Sequence, residues 1–220
     1  MEATHKHSHS FVPAMGLDWL TPLYDPCIRL LLREDEVKQQ LVDQARIQPG
    51  MTVVDLGCGT GTLALMVKRS HPTARVIGID VDPKILDIAR GKLADAKVEV
   101  ELRQGRIEEV GLQPGSLDRV LSTLVLHHLT ADEKLGALRA ARAALRPGGE
   151  LHVADFGPPS NALMWLLSLP IRLFDGEDRV LPNLTGRLPE IIRAAGFSDV
   201  RERGSRMTGF GTLVYWSAVA

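Results

Sequence analysis

The sequence predicts an α/β fold: a doubly wound, seven-stranded, mostly parallel sheet with a C-terminal antiparallel hairpin and an N-terminal helical cap. Two observations predict it. From residue 51 on, short β-branched segments alternate with helix-like segments, which is the order of a parallel sheet. Near the C-terminus, two strand-like segments flank a glycine-rich turn at 209–211, which is typical of a hairpin. The 220 residues fit a single domain.

The predicted strands are apolar segments bounded by turn residues. MTVVDL at 51–56 lies between Pro49-Gly50 and a glycine cluster, so we expect a buried strand. KVEVELR at 97–103 alternates in polarity, as a half-exposed strand does. The seven predicted strands are 51–56, 75–79, 97–103, 118–123, 150–155, 200–207 and 213–218.

The predicted helices carry recognisable ends. Asp82 is placed as an N-cap with Pro83 in the first turn, and RPGG at 146–149 ends a later helix. The helices are expected at 62–70, 83–94, 131–145 and 188–195. A further apolar segment at 162–174 is interrupted by Pro170 and too short to span a membrane. It is expected to form a buried or lid helix, or a wall for an apolar substrate; a membrane-surface helix or a partner interface are the alternatives.

Composition excludes several classes of protein. Apolar residues make up 45% and charged residues 24%, so the chain is globular. The net charge of −1 lacks the electrostatic footprint of a nucleic-acid binder. The N-terminal residues do not form a signal peptide. The only cysteines are Cys27 and Cys58, which favours a reducing compartment and a cytoplasmic location.

The main chemical signal is the sequence VVDLGCGTG at 53–61, where a strand leads through glycines into a helix. Glycine lets a ligand approach the main chain closely. The glycines form G-x-G-x-G and not the dinucleotide pattern G-x-G-x-x-G, and no P-loop Gly-Lys-Ser/Thr follows. Asp55 lies just before the loop, where a carboxylate suits an ammonium group better than a pyrophosphate.

A second acid, Asp80, ends the next predicted strand, 23 positions after Gly57. A carboxylate there can accept hydrogen bonds from both hydroxyls of a ribose, at about 1.5–3 kcal/mol each. A ligand with a ribose, an amino group and no phosphate fits both acids and the glycines.

Four segments in order, 55–61, 78–80, 124–129 and 145–149, resemble the signatures of class I S-adenosylmethionine-dependent methyltransferases. The resemblance covers about 49–156 and is nearest to the ubiquinone/menaquinone-biosynthesis-like small-molecule methyltransferases. It implies a Rossmann-like fold with S-adenosylmethionine as cofactor. It also implies four parts of one domain, 1–220: a cap at 1–48, a cofactor-binding core at 49–156, a substrate-lid insert at 157–187, and a C-terminal helix and hairpin at 188–220.

The resemblance also implies a set of cofactor-binding residues. Asp55 would act on the amino group, Asp80 on the ribose and Val81 on the adenine, while the Cys58 thiol would face the cofactor. Tyr24 would fold over the cofactor, unless it packs within the cap. The full set is Tyr24, Asp55, Gly57, Cys58, Gly59, Thr60, Gly61, Asp80, Val81, Arg106, Ile107 and Ser122.

One position departs from the family pattern. An Asp that meets adenine commonly follows the glycine after strand three, but here Gly105 is followed by Arg106 and Ile107. Three explanations remain: Glu108 substitutes, the main chain at 106–107 suffices, or adenine is held less tightly. A ligand other than an adenosyl compound is a more remote fourth.

Polar residues past the strand ends are candidates for catalysis. His127 and His128 could remove a proton from an acceptor, or simply cap the next segment or line the cofactor pocket. Asp155 could orient a substrate, act as base, help bind a metal, or serve as a turn residue. No metal site is expected, since the tract His5, His7 and His9 lies at a terminus and Cys27 lacks the partners of an arsenite methyltransferase.

The predicted function is methyl transfer to a small, fairly apolar acceptor held under residues 11–45 and 157–187. The missing Asn/Asp-Pro-Pro-aromatic motif after strand four argues against methylation of nucleic-acid bases. A non-catalytic S-adenosylmethionine-binding sensor and, less favoured, a nicotinamide-dependent oxidoreductase are the alternatives. The acceptor atom and the oligomeric state stay open.

Overall fold

The computed structural model describes residues 32–220. The predictions for Tyr24, Cys27, the histidines at 5, 7 and 9, and most of the cap lie outside the described residues. The helices are α1 (Glu34–Ala45), α2 (Thr62–Ser70), α3 (Pro83–Asp95), α4 (Ala131–Ala144), α5 (Ala162–Leu167), α6 (Leu169–Asp175), α7 (Glu177–Leu184) and α8 (Leu188–Ala194). The strands are β1 (Thr52–Leu56), β2 (Arg75–Asp80), β3 (Glu101–Gln104), β4 (Leu117–Thr123), β5 (Leu145–Phe156), β6 (Ser198–Thr208) and β7 (Gly211–Val219).

The predicted sheet is confirmed. Its seven strands run in the order β3-β2-β1-β4-β5-β7-β6. Strands β1 to β5 pair in parallel, and β7 pairs antiparallel with both β5 and β6. Leu56 lies opposite both Ile79 and Ser122, and Ser122 lies opposite Val153. The carboxyl ends of these strands are therefore level, which brings the side chains that follow them to one edge of the sheet.

Two apolar cores cover the two faces of the sheet. Val54 and Val120 pack with residues of α4 and α8, such as Leu138. Val53 faces the other way and packs with α1 and α2. Because successive side chains of a strand alternate in direction, each central strand is apolar on both faces. The result is a three-layer α/β/α arrangement.

Three elements differ most from the prediction. Strand β3 begins only at Glu101, because Val98 donates to Leu93 O at 3.2 Å and Lys97 has φ +55°, so this stretch closes α3. Strand β5 begins at Leu145, where Leu117 of β4 already pairs with it. The predicted single helix at 162–174 is two helices, α5 and α6.

The insert between β5 and α8 carries apolar side chains toward solvent. The division between α5 and α6 falls at Ser168, followed by Pro170 in the first turn of α6, where its missing N–H costs nothing. Exposed large apolar residues of α5 and α6 are Leu163, Trp165, Leu166, Leu169, Leu173 and Phe174. Within residues 32–220, every helix falls short of the length and apolarity needed to cross a membrane.

Candidate active site

The glycine loop joins β1 to α2 and is tied to β2. The amides of Gly57 and Cys58 both donate to Ile79 O, at 2.8 and 2.9 Å, and Gly61 donates to Cys58 O at 2.9 Å. Gly57 has φ +69°, and a Cβ there would lie 2.3 Å from Val125 Cγ2. Only glycine fits at this position, so the loop can follow this path beside the segment after β4.

The middle of the loop faces open space. Gly59 has φ +51°, and no heavy atom lies within 4 Å of the position that a Cβ would take. Its amide donates to Asp80 Oδ2 at 2.8 Å. The loop thus presents bare main chain beside the two acids, as a cradle for a ligand requires.

Asp55 is a buried carboxylate with an unused acceptor. It is 2% exposed, and its Oδ2 has no hydrogen-bond partner among the described residues. Burial raises the pKa of Asp55 to about 7, opposed by the nearby charge of Lys38 in α1 and by an amide hydrogen bond from Ala64. A carboxylate held in this state attracts a cationic group that restores its charge.

Asp80 lies at the end of β2, where it orders the turn around itself. It accepts from Gly59 N through Oδ2 and from Asp82 N through Oδ1 at 3.0 Å. Each carboxylate oxygen has further acceptor capacity, so both can still receive a ribose hydroxyl. Val81 follows it and is 42% exposed, leaving its apolar side chain free to contact a flat ring.

Some predicted side chains face away from the cradle. Cys58 is 4% exposed, and its Sγ would lie 2.9 Å from a Cβ at Gly78. The expectation that this thiol faces the cofactor is therefore corrected: it fills the space above β2, and burial raises its pKa strongly. Thr60 Oγ1 accepts from Lys92 of α3 at 2.8 Å. A Cβ at Gly61 would lie only 3.2 Å from Ala89 Cβ, so the absence of a side chain at Gly61 lets α2 and α3 pack closely against each other.

The position of the missing adenine-binding acid is occupied by an ion pair. Arg106 Nη2 donates to Glu133 Oε1 of α4 at 2.7 Å. The side chain of Glu108 lies beside Gly136 of α4, 3.2 Å from where a Cβ there would stand. Ile107 is 3% exposed and belongs to the core. Since all three side chains are directed to α4 or to the core, the arrangement favours the main chain at 106–107 as the adenine contact.

Ser122 of β4 is buried under the loop. It is 1% exposed, and its hydroxyl lacks a hydrogen-bond partner among residues 32–220. Its backbone pairs in register with Leu56, the residue before Gly57. Ser122 thus remains a predicted cofactor-site residue with an unused polar atom.

The three candidate catalytic residues lie together at the ends of β4 and β5. Asp155 is fully buried and accepts from the amides of Leu126 and Phe156, at 2.8 and 2.7 Å. His127 Nδ1 lies 2.7 Å from Asp155 Oδ1. Burial by itself raises the pKa of Asp155, but the contact with His127 and the hydrogen bond from the Phe156 amide outweigh it and lower the pKa. The ionised Asp155 therefore receives Nδ1–H, which fixes the tautomer of His127.

The hydrogen bonds and burial of Asp155, His127 and His128 favour some of the roles that the sequence left open for them over others. Asp155 has no exposed surface and is hydrogen-bonded to His127 and to the short 3-10 turn Leu126–His128, which favours a positioning role over direct contact with an acceptor. Burial lowers the pKa of His127, so its ring is neutral near pH 7 with a lone pair at Nε2. His128 is exposed at 46% of its side chain and hydrogen-bonds Asp175 at 3.0 Å.

The comparisons with known proteins bear on this site. The profile of the family described as "Methyltransferase domain" matches residues 53–149. A demethylmenaquinone methyltransferase of Thermus thermophilus is 33% identical over 169 residues, covering 76% of this chain and 74% of its own. The chain belongs to the class I S-adenosylmethionine-dependent methyltransferases. Its nearest subgroup is ubiquinone/menaquinone-biosynthesis-like, and the enzyme uses S-adenosylmethionine.

Solved structures agree with this assignment of the methyltransferase. The S-adenosylmethionine-dependent methyltransferase SibL superposes with a TM-score of 0.69 and 26% identity, covering 94% of this chain and 59% of that chain. The YcgJ protein of Bacillus subtilis shares the fold, with a TM-score of 0.70 and 15% identity over 84% of this chain and 97% of its own.

The residues present in this methyltransferase fit the cofactor. The partnerless Oδ2 of Asp55 suits its ammonium group, the open face of Gly59 leaves room for it, and the carboxylate of Asp80 suits its ribose. When bound, S-adenosylmethionine supplies a methyl group on a sulfonium, which an acceptor displaces in line. The role of each residue stays a prediction.

Two residues near the site escaped prediction from the sequence. Asp175, at the end of α6, contacts His128 across 47 positions of chain. Lys38 of α1 reaches the neighbourhood of Asp55 from the cap. No local pattern marks either residue, because only the packing of the insert and of α1 against the sheet brings them to the site.

Proposed function

We propose that this methyltransferase methylates a small apolar molecule bound over the carboxyl ends of β4 and β5, beneath the insert 157–187. The observation that carries the proposal is an apolar cluster at this place, here called the lid cluster. It joins Phe156 at the end of β5 to α6 and α7 of the insert. Its buried members are Leu32, Phe156, Ile171, Val180 and Leu184, with Leu124 and Phe210 packed against them.

The lid cluster adjoins the candidate catalytic residues. The rings of Phe156 and His127 meet edge to face, with centroids 4.9 Å apart. An acceptor under the insert would therefore have apolar walls on one side and an imidazole on the other. Pockets of this composition bind apolar small molecules and orient them with a few polar groups.

Leu124 marks the inner wall of this space. It follows β4 directly, has φ +57°, and packs against both the lid cluster and the core under α1 and α2. The left-handed conformation costs a non-glycine residue about 1–3 kcal/mol, and such strain is concentrated at functional sites. Retaining a leucine here, where glycine would be unstrained, supports a role for its side chain in the pocket.

The methyltransferase also has side chains that can accept a proton from the acceptor, where methylation requires the acceptor to lose one. Asp155 keeps a proton on Nδ1 of His127, so its Nε2 carries the lone pair. His128 presents a more exposed imidazole beside it, with ring centroids 4.0 Å apart. Either ring could take a proton from an acidic acceptor group, which makes the pair the proposed general base.

The test is to incubate the enzyme with methyl-labelled S-adenosylmethionine and a cell extract divided into apolar metabolites, polar metabolites, protein and nucleic acid. The expected result is label in the solvent-extractable apolar fraction, together with S-adenosylhomocysteine. Label confined to the polar metabolites, protein or nucleic acid would refute the proposed acceptor class. S-adenosylmethionine binding without any product would refute the acceptor proposal.

Once an acceptor is found, Leu124→Gly tests its site. The change removes both the packing of the wall and the backbone strain, which act on stability in opposite directions, and the KM for the acceptor should rise by about tenfold or more. Ile88→Ser, on the exposed side of α3 at 56% exposure, is the matched control and should leave the KM unchanged. An unchanged KM in Leu124→Gly would place the acceptor elsewhere.

A further inference from the structure

Three side chains of types that can bind a metal lie close together beyond the carboxyl ends of β4 and β5. His127 and His128 come from the 3-10 turn after β4, and Asp175 comes from the end of α6 in the insert. Their ligand atoms all lie within 4.8 Å of one another. Among residues 32–220, no other three His, Cys, Asp or Glu ligand atoms come together in this way.

The distances are those of a site that needs little adjustment. His128 Nδ1 lies 3.0 Å from Asp175 Oδ1, and His127 Nε2 lies 3.9 Å from Asp175 Oδ2. With metal–ligand bonds near 2.0–2.2 Å, neighbouring ligand atoms of a tetrahedral site are about 3.3–3.5 Å apart. One of the two observed pairs is closer than that separation and the other is farther apart, and the His128 side chain is half exposed.

The second observation is a carboxylate behind the first histidine. Asp155 Oδ1 lies 2.7 Å from Nδ1 of His127, which leaves Nε2 on the far side of the ring, toward Asp175. At 3.9 Å, His127 Nε2 and Asp175 Oδ2 are too far apart to form a hydrogen bond with each other. A carboxylate that fixes the tautomer of a metal-binding histidine in this way is a usual outer-shell partner.

The carboxylates around the two histidines also favour a bound cation. Asp155 and Asp175 place two carboxylates around the histidines. In the part of the chain that the structure describes, Asp175 pairs only with the two imidazoles, and neither Lys nor Arg forms an ion pair with it. Lys134, a buried cation that interacts electrostatically with Asp155, donates to the carbonyls of Leu129 and Arg179. A divalent cation between the three ligand atoms would compensate this negative charge.

We propose that His127, His128 and Asp175 form a site for a divalent transition metal of the Zn²⁺ class, with Asp155 as the outer-shell partner of His127. Two imidazoles and one carboxylate are the ligands that such ions prefer. Three protein ligands leave a further position for a water or for an oxygen of the acceptor. This site goes beyond the proposed function and is an alternative to the expectation, drawn from the sequence, that no metal is bound.

The site has a consequence for the proposed base. A metal occupies the lone pair at His127 Nε2, so this imidazole cannot bind the ion and accept a proton at the same time. Closing the site also joins the insert to the turn after β4, since Asp175 belongs to α6. The metal would therefore fix the lid over the end of the sheet.

The test measures Zn²⁺ binding to the full chain by competition with a chromogenic chelator, after removal of metal by dialysis. Because His5, His7 and His9 could bind Zn²⁺ independently, the reference protein carries His5→Ser, His7→Ser and His9→Ser. In that background we expect one Zn²⁺ per chain, and Co²⁺ should show the visible absorption of a four-coordinate nitrogen–oxygen site. No acceptor is needed, so the result is independent of the proposed acceptor.

Two variants in the same background decide the assignment. Asp175→Asn and His128→Ala should each weaken Zn²⁺ binding by more than about tenfold. Asp178→Asn, three residues along at an exposed position, is the matched control and should bind as the reference does. Thermal melting without metal checks that each variant is folded; His128 is half exposed, so His128→Ala is expected to fold even if Asp175→Asn does not. Absence of stoichiometric Zn²⁺ in the reference, or unchanged binding in either folded variant, would overturn the site.

Discussion

Replacing Asp55 by Asn should remove a pH dependence of cofactor binding. The carboxyl is buried, and its pKa is raised from 3.8 to about 7 chiefly by that burial. An ammonium group binds its ionised form, so affinity should be lost as the pH falls through 7 and gained as it rises. At neutral pH the ligand must therefore compete with a proton for Asp55.

The size of the effect follows from the titration. With a pKa of about 7, roughly a tenth of Asp55 is ionised at pH 6 and roughly nine-tenths at pH 8. Affinity should therefore rise about tenfold between these pH values. Asp55→Asn loses a charge-assisted hydrogen bond of about 1.5–3 kcal/mol, which weakens binding roughly 10- to 150-fold at pH 8 and removes the slope.

Calorimetry with S-adenosylhomocysteine is the assay, because its amino group stays protonated throughout this range. The control ligand is 5′-methylthioadenosine, which keeps the adenine, ribose and sulfur but lacks the amino acid. Its affinity should depend neither on this pH range nor on Asp55. Equal pH slopes for the two ligands, or a slope that persists in Asp55→Asn, would refute the assigned contact.

The glycine loop and the adenine side give further predictions. Gly57→Ala should lower the free energy of unfolding by about 1–3 kcal/mol, and with it the melting temperature, because its Cβ would lie 2.3 Å from Val125. Gly59→Ala meets no such atom, so it should melt higher than Gly57→Ala while weakening S-adenosylhomocysteine binding in calorimetry; the reverse order would contradict the open cradle. Arg106→Ala breaks an exposed ion pair with Glu133 worth at most about 1 kcal/mol and should change cofactor affinity by less than about threefold; a larger loss would implicate the guanidinium.

The parts that could be predicted from the sequence have local causes. The glycine spacing and the acids at 55 and 80 sit at fixed offsets from strand ends, and level strand ends then bring them together. The start of β3 was predicted four residues early, because alternating polarity at 97–100 resembles a strand while the structure uses these residues to end α3. The period of a polarity pattern does not reveal which residues form hydrogen bonds with the backbone amides and carbonyls of that segment.

The remainder depends on contacts between distant residues. Arg106 pairs with Glu133 across 27 positions, and Asp175 reaches His128 across 47. The complete burial of Asp155, which favours a positioning role over that of a base, is likewise a property of the packed fold. Burial and long-range pairing arise from the packed fold, so a single sequence gives the residue types present at a site but not which of them face the ligand.

The central claim is that the loop between β1 and α2, together with Asp80, holds the adenosyl cofactor. Calorimetric titration of S-adenosylhomocysteine into Asp80→Asn tests it most directly, with Asp82→Asn as the control. Asp82 is the N-cap of α3, and Asn serves equally well as a cap, so this neighbour loses the same charge without losing its structural role. We expect the affinity to be weakened at least about tenfold in Asp80→Asn and by less than about twofold in Asp82→Asn; equal affinities in the two variants would contradict this assignment.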